Sequence, residues 1–150
     1  MIRVSVQDEE FNLEQEVNAI RKRDVGAIVT FTGVVRDTEG DLEALELEHY
    51  PAMTQAAIHA FCGTAAERWG LSGVTVIHRI GRLPVGADIM MVATASAHRR
   101  AAFEAADFLM DYLKSRAPFW KKEHRSTGAH WVSAREQDES DLARWTDAKS

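Results

Sequence analysis

Val74-Thr75-Val76-Ile77-His78-Arg79-Ile80-Gly81-Arg82-Leu83 and Ala87-Asp88-Ile89-Met90-Met91-Val92-Ala93-Thr94-Ala95-Ser96-Ala97 are two runs rich in apolar and β-branched residues, joined by Pro84-Val85-Gly86. A link that short and turn-rich suits a hairpin, so the runs are expected as two long strands paired antiparallel. The pattern then changes period. From about His98 to Arg116, Ala102, Ala106, Leu109 and Leu113 recur at helical spacing, and Pro118 prevents the helix from continuing. A strand pair followed by a helix predicts an α+β fold with mainly antiparallel sheet.

Working outward, Ile2, Val4 and Val6 alternate with polar residues as in a half-buried strand. A helix follows with Asn12 at its N-cap and Leu13, Val17 and Ile20 along its apolar face. Gly26 to Arg36 reads as a largely buried strand, and Leu45, Leu47 and His49 alternate with Glu46, Glu48 and Tyr50 in another. Pro51 suits the first turn of a helix that Gly70 stops. Phe119 to Arg125 and Ala129 to Ala134 form a second hairpin around Ser126-Thr127-Gly128. The order is roughly βαββαββαββα, with one domain over residues 1–135 and an acidic helix or tail over 136–150.

At 150 residues and 45% hydrophobic content, the chain can bury one sizeable core but not two typical ones. No apolar run approaches the roughly 20 residues that span a bilayer, and the N-terminus lacks a signal peptide's apolar block, so a cytoplasmic protein is expected. The single cysteine, Cys62, lies in an apolar helical stretch and reads as a core residue, which excludes an intramolecular disulfide. The isolated histidines show no metal-ligand spacing, so neither a metal nor another cofactor is expected.

The net charge of −5 is segregated. Residues 78–135 hold ten Lys/Arg against five Asp/Glu, whereas the flanking blocks are acidic. A basic stretch inside an acidic protein points to a local anion site more than to a polyanion-binding surface. Within it, His98-Arg99-Arg100 opens the helix. Cations there oppose the helix field unless an anion binds among them, and the alternative is plain solvation. Arg99, Phe103, Ala106, Met110 and Lys114 share one helical face, so Lys114 is either a partly dried lysine fit for proton transfer or nucleophilic attack, or one that snorkels to water. In Pro118-Phe119-Trp120-Lys121-Lys122-Glu123, strand alternation puts Phe119, Lys121 and Glu123 on one side, where Lys121 can face Lys114. Lys122 then reads as a solvated edge residue. His78-Arg79 and Arg82 add further cationic groups of low specificity.

Gly26-Ala27-Ile28-Val29-Thr30-Phe31-Thr32-Gly33-Val34-Val35-Arg36, Leu47-Glu48-His49-Tyr50-Pro51-Ala52-Met53, His78-Arg79-Ile80-Gly81-Arg82-Leu83, His98-Arg99 and Pro118-Phe119-Trp120-Lys121-Lys122-Glu123, in that order, resemble the molybdopterin synthase catalytic (large) subunit family. The resemblance runs from about residue 2 to residue 135. It implies an α/β-hammerhead fold and a homodimer at the centre of a heterotetramer, with a small ubiquitin-like sulfur carrier at each outer end. The carrier's Gly-Gly thiocarboxylate would deliver sulfur to cyclic pyranopterin monophosphate, giving molybdopterin.

By the same resemblance, Lys114 and Lys121 are the catalytic lysines. Arg36, His98 and Arg99 would hold the pterin phosphate, and Phe31 and Met110 would line the pocket. Glu123 would orient a lysine, and Arg135 would reach into the neighbouring subunit's site. Sulfur that arrives on a partner needs cations rather than a cysteine, in keeping with the composition. Two other readings remain: a non-catalytic scaffold for a ubiquitin-like tail or phosphorylated ligand, and a small RNA-binding domain stacking bases on Phe119, Trp120 and Trp131.

Overall fold

The computed structural model describes residues 1–132, 140–143 and 145. Its elements in chain order are β1 (Ile2–Gln7), α1 (Leu13–Ala19), β2 (Ala27–Val34), β3 (Leu42–His49), α2 (Pro51–Trp69), β4 (Gly73–Arg79), β5 (Gly81–Pro84), β6 (Asp88–Ser96), α3 (Arg99–Ser115), β7 (Phe119–Arg125) and β8 (Gly128–Val132). The α+β expectation holds. The strands form two four-stranded sheets, ordered β1-β4-β6-β2 and β5-β3-β7-β8.

Alternation along the central strands decides what each sheet face covers. Val74, Val76, Met90 and Val92 turn toward α2 and α3, meeting Ile58, Cys62 and Ala65 of α2 and Ala106, Leu109 and Leu113 of α3. Ile77, Met91, Ala93 and Ala95 point the other way, onto Ile20 at the end of α1. With both faces covered, β4 and β6 are almost continuously apolar, as strands buried on both sides must be. Leu109 is fully buried, so truncating it to alanine would cost about 2–5 kcal/mol.

The helix ends follow their sequence signals. Asn12 caps α1 by accepting from the Gln15 N–H at 2.9 Å, Pro51 opens α2, and Gly70 closes it in the left-handed conformation at φ 60°.

One pairing departs from expectation, and another completes the first sheet. The run Val74 to Leu83 is not one strand: it breaks at Ile80, and Gly81 at φ 87° redirects the chain. β4 pairs antiparallel with β6, whereas β5 crosses to the second sheet and pairs with β3. β1, for its part, joins β4 in parallel register, Ile2 opposite Val74. In the C-terminal segment, residues 140–143 and 145 are helical, Leu142 is buried and Trp145 packs edge-on to Trp69 and Phe108. The end of the predicted second hairpin, 133–134, lies outside the described residues.

Candidate active site

Because α3 ends at Ser115 and β7 begins at Phe119, the chain reverses within a few residues around Pro118. Lys114, in the last turn of α3, and Lys121, at the third position of β7, thereby line one cavity of about 510 Å³. Phe31 and Arg36 border it from β2 and the segment beyond, Met110 and Leu113 from α3, His78 from β4, and Phe119 from β7. Five of the predicted site residues therefore meet: Phe31, Arg36, Met110, Lys114 and Lys121.

Lys114 is exposed and Lys121 half-buried, so one cation stands at the mouth and the other lies deeper. The expectation that Phe103 helps to dry Lys114 is not met. Phe103 is 61% exposed and lies about 16 Å back along α3, eleven residues at a 1.5 Å rise.

The loop after β2 places Arg36. Asp37 Oδ1 accepts from the N–H groups of Gly40 (2.8 Å) and Glu39 (3.2 Å), and Oδ2 from that of Leu42 (3.1 Å). Desolvation opposes ionisation of this carboxyl, but those three donors outweigh it and hold its pKa below the ordinary value. Arg125 clamps the same loop through Asp41 (2.5 Å) and Glu39 (3.3 Å). Glu123 belongs to this clamp: it pairs with Arg125 at 3.3 Å rather than with a lysine, so the lysine-orienting role expected of it is not what its geometry offers.

His98 and Arg99 do not reach the cavity. His98 is the N-cap of α3, where its carbonyl accepts from the Ser96 hydroxyl, and Arg99 is the first helical residue; both are exposed. Fifteen residues separate Arg99 from Lys114, about 22 Å along the helix axis. No small substrate held by one chain spans that distance. Arg100 pairs with Glu104 at 3.7 Å. Arg135 lies outside the described residues.

The other cations that the sequence offered are spoken for. Arg79 donates to the backbone carbonyls of Asp8 (3.0 and 3.2 Å) and Asp88 (3.1 Å), and Arg82 faces Glu43 at 3.8 Å. Their neighbour His78 is the cavity-lining position that sequence reasoning misjudged. It lines the cavity as a buried ring stacked on Phe119, with centroids 3.8 Å apart, and not as a cation. Phe119 lies 41 residues away in sequence, and the only hint of their meeting was that both motifs belong to the resemblance.

Cys62 is fully buried, and burial pushes its thiol up to about 12, so it supplies no thiolate. Among the described residues no group of three or more His, Cys, Asp or Glu could hold a metal, and no helix is long and apolar enough to cross a membrane.

Fold and cavity together define a single-domain α+β protein whose cavity sets two lysines and an arginine against apolar walls. A profile described as MoaE protein matches residues 6–116. The molybdopterin synthase catalytic subunit of Cereibacter sphaeroides is 59% identical over 96% of this chain and 100% of its own length. In structure, the molybdopterin biosynthesis MoaE protein from Burkholderia ambifaria aligns with a TM-score of 0.84 and 45% identity, over 97% of this chain and 99% of that one. A protein–protein complex of subunits 1 and 2 of molybdopterin-converting factor from Helicobacter pylori contains a chain of the same fold, with a TM-score of 0.73 and 18% identity over 89% and 91%. The chain belongs to the MoaE family, the catalytic subunits of molybdopterin synthase.

Proposed function

We propose that this subunit moves sulfur from the thiocarboxylated Gly-Gly C-terminus of a small ubiquitin-like carrier onto cyclic pyranopterin monophosphate, building the molybdopterin dithiolene. The proposed assembly is a cytoplasmic heterotetramer with two copies of this chain at its centre. One observation carries the reading: Lys114 and Lys121, from different elements, border one cavity together with Arg36, Phe31 and Met110. The two-subunit complex of the Helicobacter pylori factor supports the small partner.

Both reactants are anionic. Once the carrier's sulfur is bonded to the pterin, water adds to the acyl carbon as the C–S bond breaks, the carbonyl oxygen carries negative charge in passing, and the carrier tail leaves as a carboxylate. Fixed cations in a partly dry cavity lower the energy of that charge without reorganising. Their different depths divide the work. Lys114 at the mouth meets the incoming tail, shuttling protons or linking to it transiently. Lys121, deeper, stabilises the reacting carbonyl and the substrate. Arg36 takes the phosphate, while Phe31 and Met110 supply the walls. No thiol is required, because sulfur enters on the carrier, and Cys62 is sealed in the core.

His98 and Arg99 lie too far from Lys114 to serve the same cavity of one chain. In this reading they serve the cavity of the second copy, as the resemblance implies for Arg135. The active site would then be complete only in the dimer.

Single-turnover conversion of cyclic pyranopterin monophosphate with thiocarboxylated carrier tests the proposal. Conversion by the parent and near-total loss in Lys114→Ala, with carrier binding kept, is the expected result. A folded, carrier-bound parent that converts nothing would remove the reading and leave the scaffold alternative ahead.

A further inference from the structure

His78 is the cavity residue to which this reading gives no task. It ends the buried part of β4, only 6% exposed, with its ring held flat against Phe119 at an interplanar angle of 19°. Nδ1 lies 2.9 Å from the Arg79 carbonyl oxygen. A carbonyl only accepts, so Nδ1 bears the hydrogen and donates it. That fixes both the ring's orientation and its tautomer. Nε2 keeps its lone pair, and among the described residues it has no hydrogen-bond partner, so it is the ring nitrogen left to the cavity.

The surroundings keep the ring uncharged. Burial, then the positive charges of Lys121 on β7 and Lys114 on α3, with His49 on β3 close by, push its pKa down to about 4, against the Arg79 hydrogen bond, which favours the charged form. Arg36 borders the same cavity, and Arg79 is its neighbour on β4. A neutral acceptor is thus set among side chains that, the Thr32 hydroxyl apart, can only donate or are apolar.

We propose that His78 Nε2 is a specificity-determining acceptor, taking a hydrogen bond from a ring N–H of the phosphorylated heterocycle and so fixing which edge of that ring enters the cavity. The inference rests on the pterin reading above and deepens it. Phosphate and thiocarboxylate bring only acceptor oxygens and sulfur, which the lone pair repels and the lysines and arginine attract. A heterocycle brings N–H groups, which those cations cannot satisfy and His78 can. A site built to accept from an N–H discriminates against analogues that lack one, because its own buried acceptor would go unpaired.

The first test uses the parent protein with ¹⁵N-labelled histidine and cyclic pyranopterin monophosphate without carrier, with saturation read independently by calorimetry. The expected result is a neutral Nδ1–H tautomer whose Nε2 resonance moves upfield on binding. An Nε2 signal unmoved at saturation overturns the inference. The second test compares two variants in single turnover. His78→Asn keeps a donor toward Arg79 but has nothing at the Nε2 position, and should raise the substrate KM about tenfold with kcat changed less than about twofold. His78→Gln, whose amide oxygen reaches that position, should recover most of the loss. Asparagine and parent indistinguishable in KM overturns the inference while the pterin reading stands. A parent that binds no pterin overturns both.

Discussion

The two ends of α3 carry the same sign of charge in opposite circumstances. At the C-terminal end, Lys114 sits where the helix field favours a cation, and the turn at Pro118 brings Lys121 beside it over a wall of Met110 and Leu113. At the N-terminal end, His98, Arg99 and Arg100 stand exposed in a field that disfavours them, and Arg100 has Glu104 as a partner. One cluster is accounted for by its own chain. The other has no use there, and about 22 Å of helix keeps the two from acting on one small ligand. A charge cluster that costs energy where it stands is the better clue to something outside the chain.

The largest effect expected from this comparison is at the C-terminal end. Lys121→Ala should lower the single-turnover rate about a hundredfold to ten-thousandfold, with carrier affinity held within about threefold. A loss of affinity with the rate kept would mean that the cavity binds without catalysing. At the N-terminal end, Arg99→Ala should act through the second copy. Mixing Arg99→Ala with Lys114→Ala chains should therefore restore conversion, since a mixed dimer holds one cavity with both groups intact. Restoration to roughly a quarter of the parent rate is expected from random exchange, in which half the dimers are mixed. No restoration, with exchange verified by mass, would confine the N-terminal cluster to its own chain.

How far the sequence went is clear at these same residues. Elements whose signals are local were legible: Asn12, Pro51, Gly70 and Pro118 each stand where a cap, a first turn or a stop was read. Long-range pairing was not. Nothing local says that β1 joins β4 in parallel, or that Gly81 hands the end of a β-rich run to another sheet. Within the site, Lys114 and Lys121 were readable because a helix end and a strand start seven residues apart must lie close. His78 was read as one more cation because its neutrality depends on the cover of Phe119 and on two lysines brought from other elements. The shared face of Arg99 and Lys114 was correctly periodic, yet periodicity says nothing about distance along the axis.

Acid stability separates the two ends on a smaller scale. The unfolded imidazole of residue 78 takes a proton near 6.5 and the folded one only near 4. Between those values the unfolded chain binds more protons, so stability falls as pH drops through this window and levels off below it, by on the order of 3 kcal/mol from this group. Urea titrations from pH 7 to pH 4 should show that loss in the parent and in Arg99→Ala, and a clearly shallower one in His78→Asn. An equal acid limb in all three would assign it to other groups.

The smallest effect belongs to Arg100. Its pair with Glu104 is an exposed i, i+4 contact at 3.7 Å with the arginine side chain 87% exposed. Such pairs contribute about 0.3–0.5 kcal/mol. Removing a cation from the positive end of a helix returns about as much, and alanine is the better helix former. Arg100→Ala should therefore change unfolding free energy by less than about 0.5 kcal/mol, with any net gain largest at low salt, where the helix field is least screened. Conversion should be unchanged. A loss of activity comparable to that of Arg99→Ala would show that the whole N-terminal cluster, and not its first turn's leading edge alone, faces the second copy's substrate.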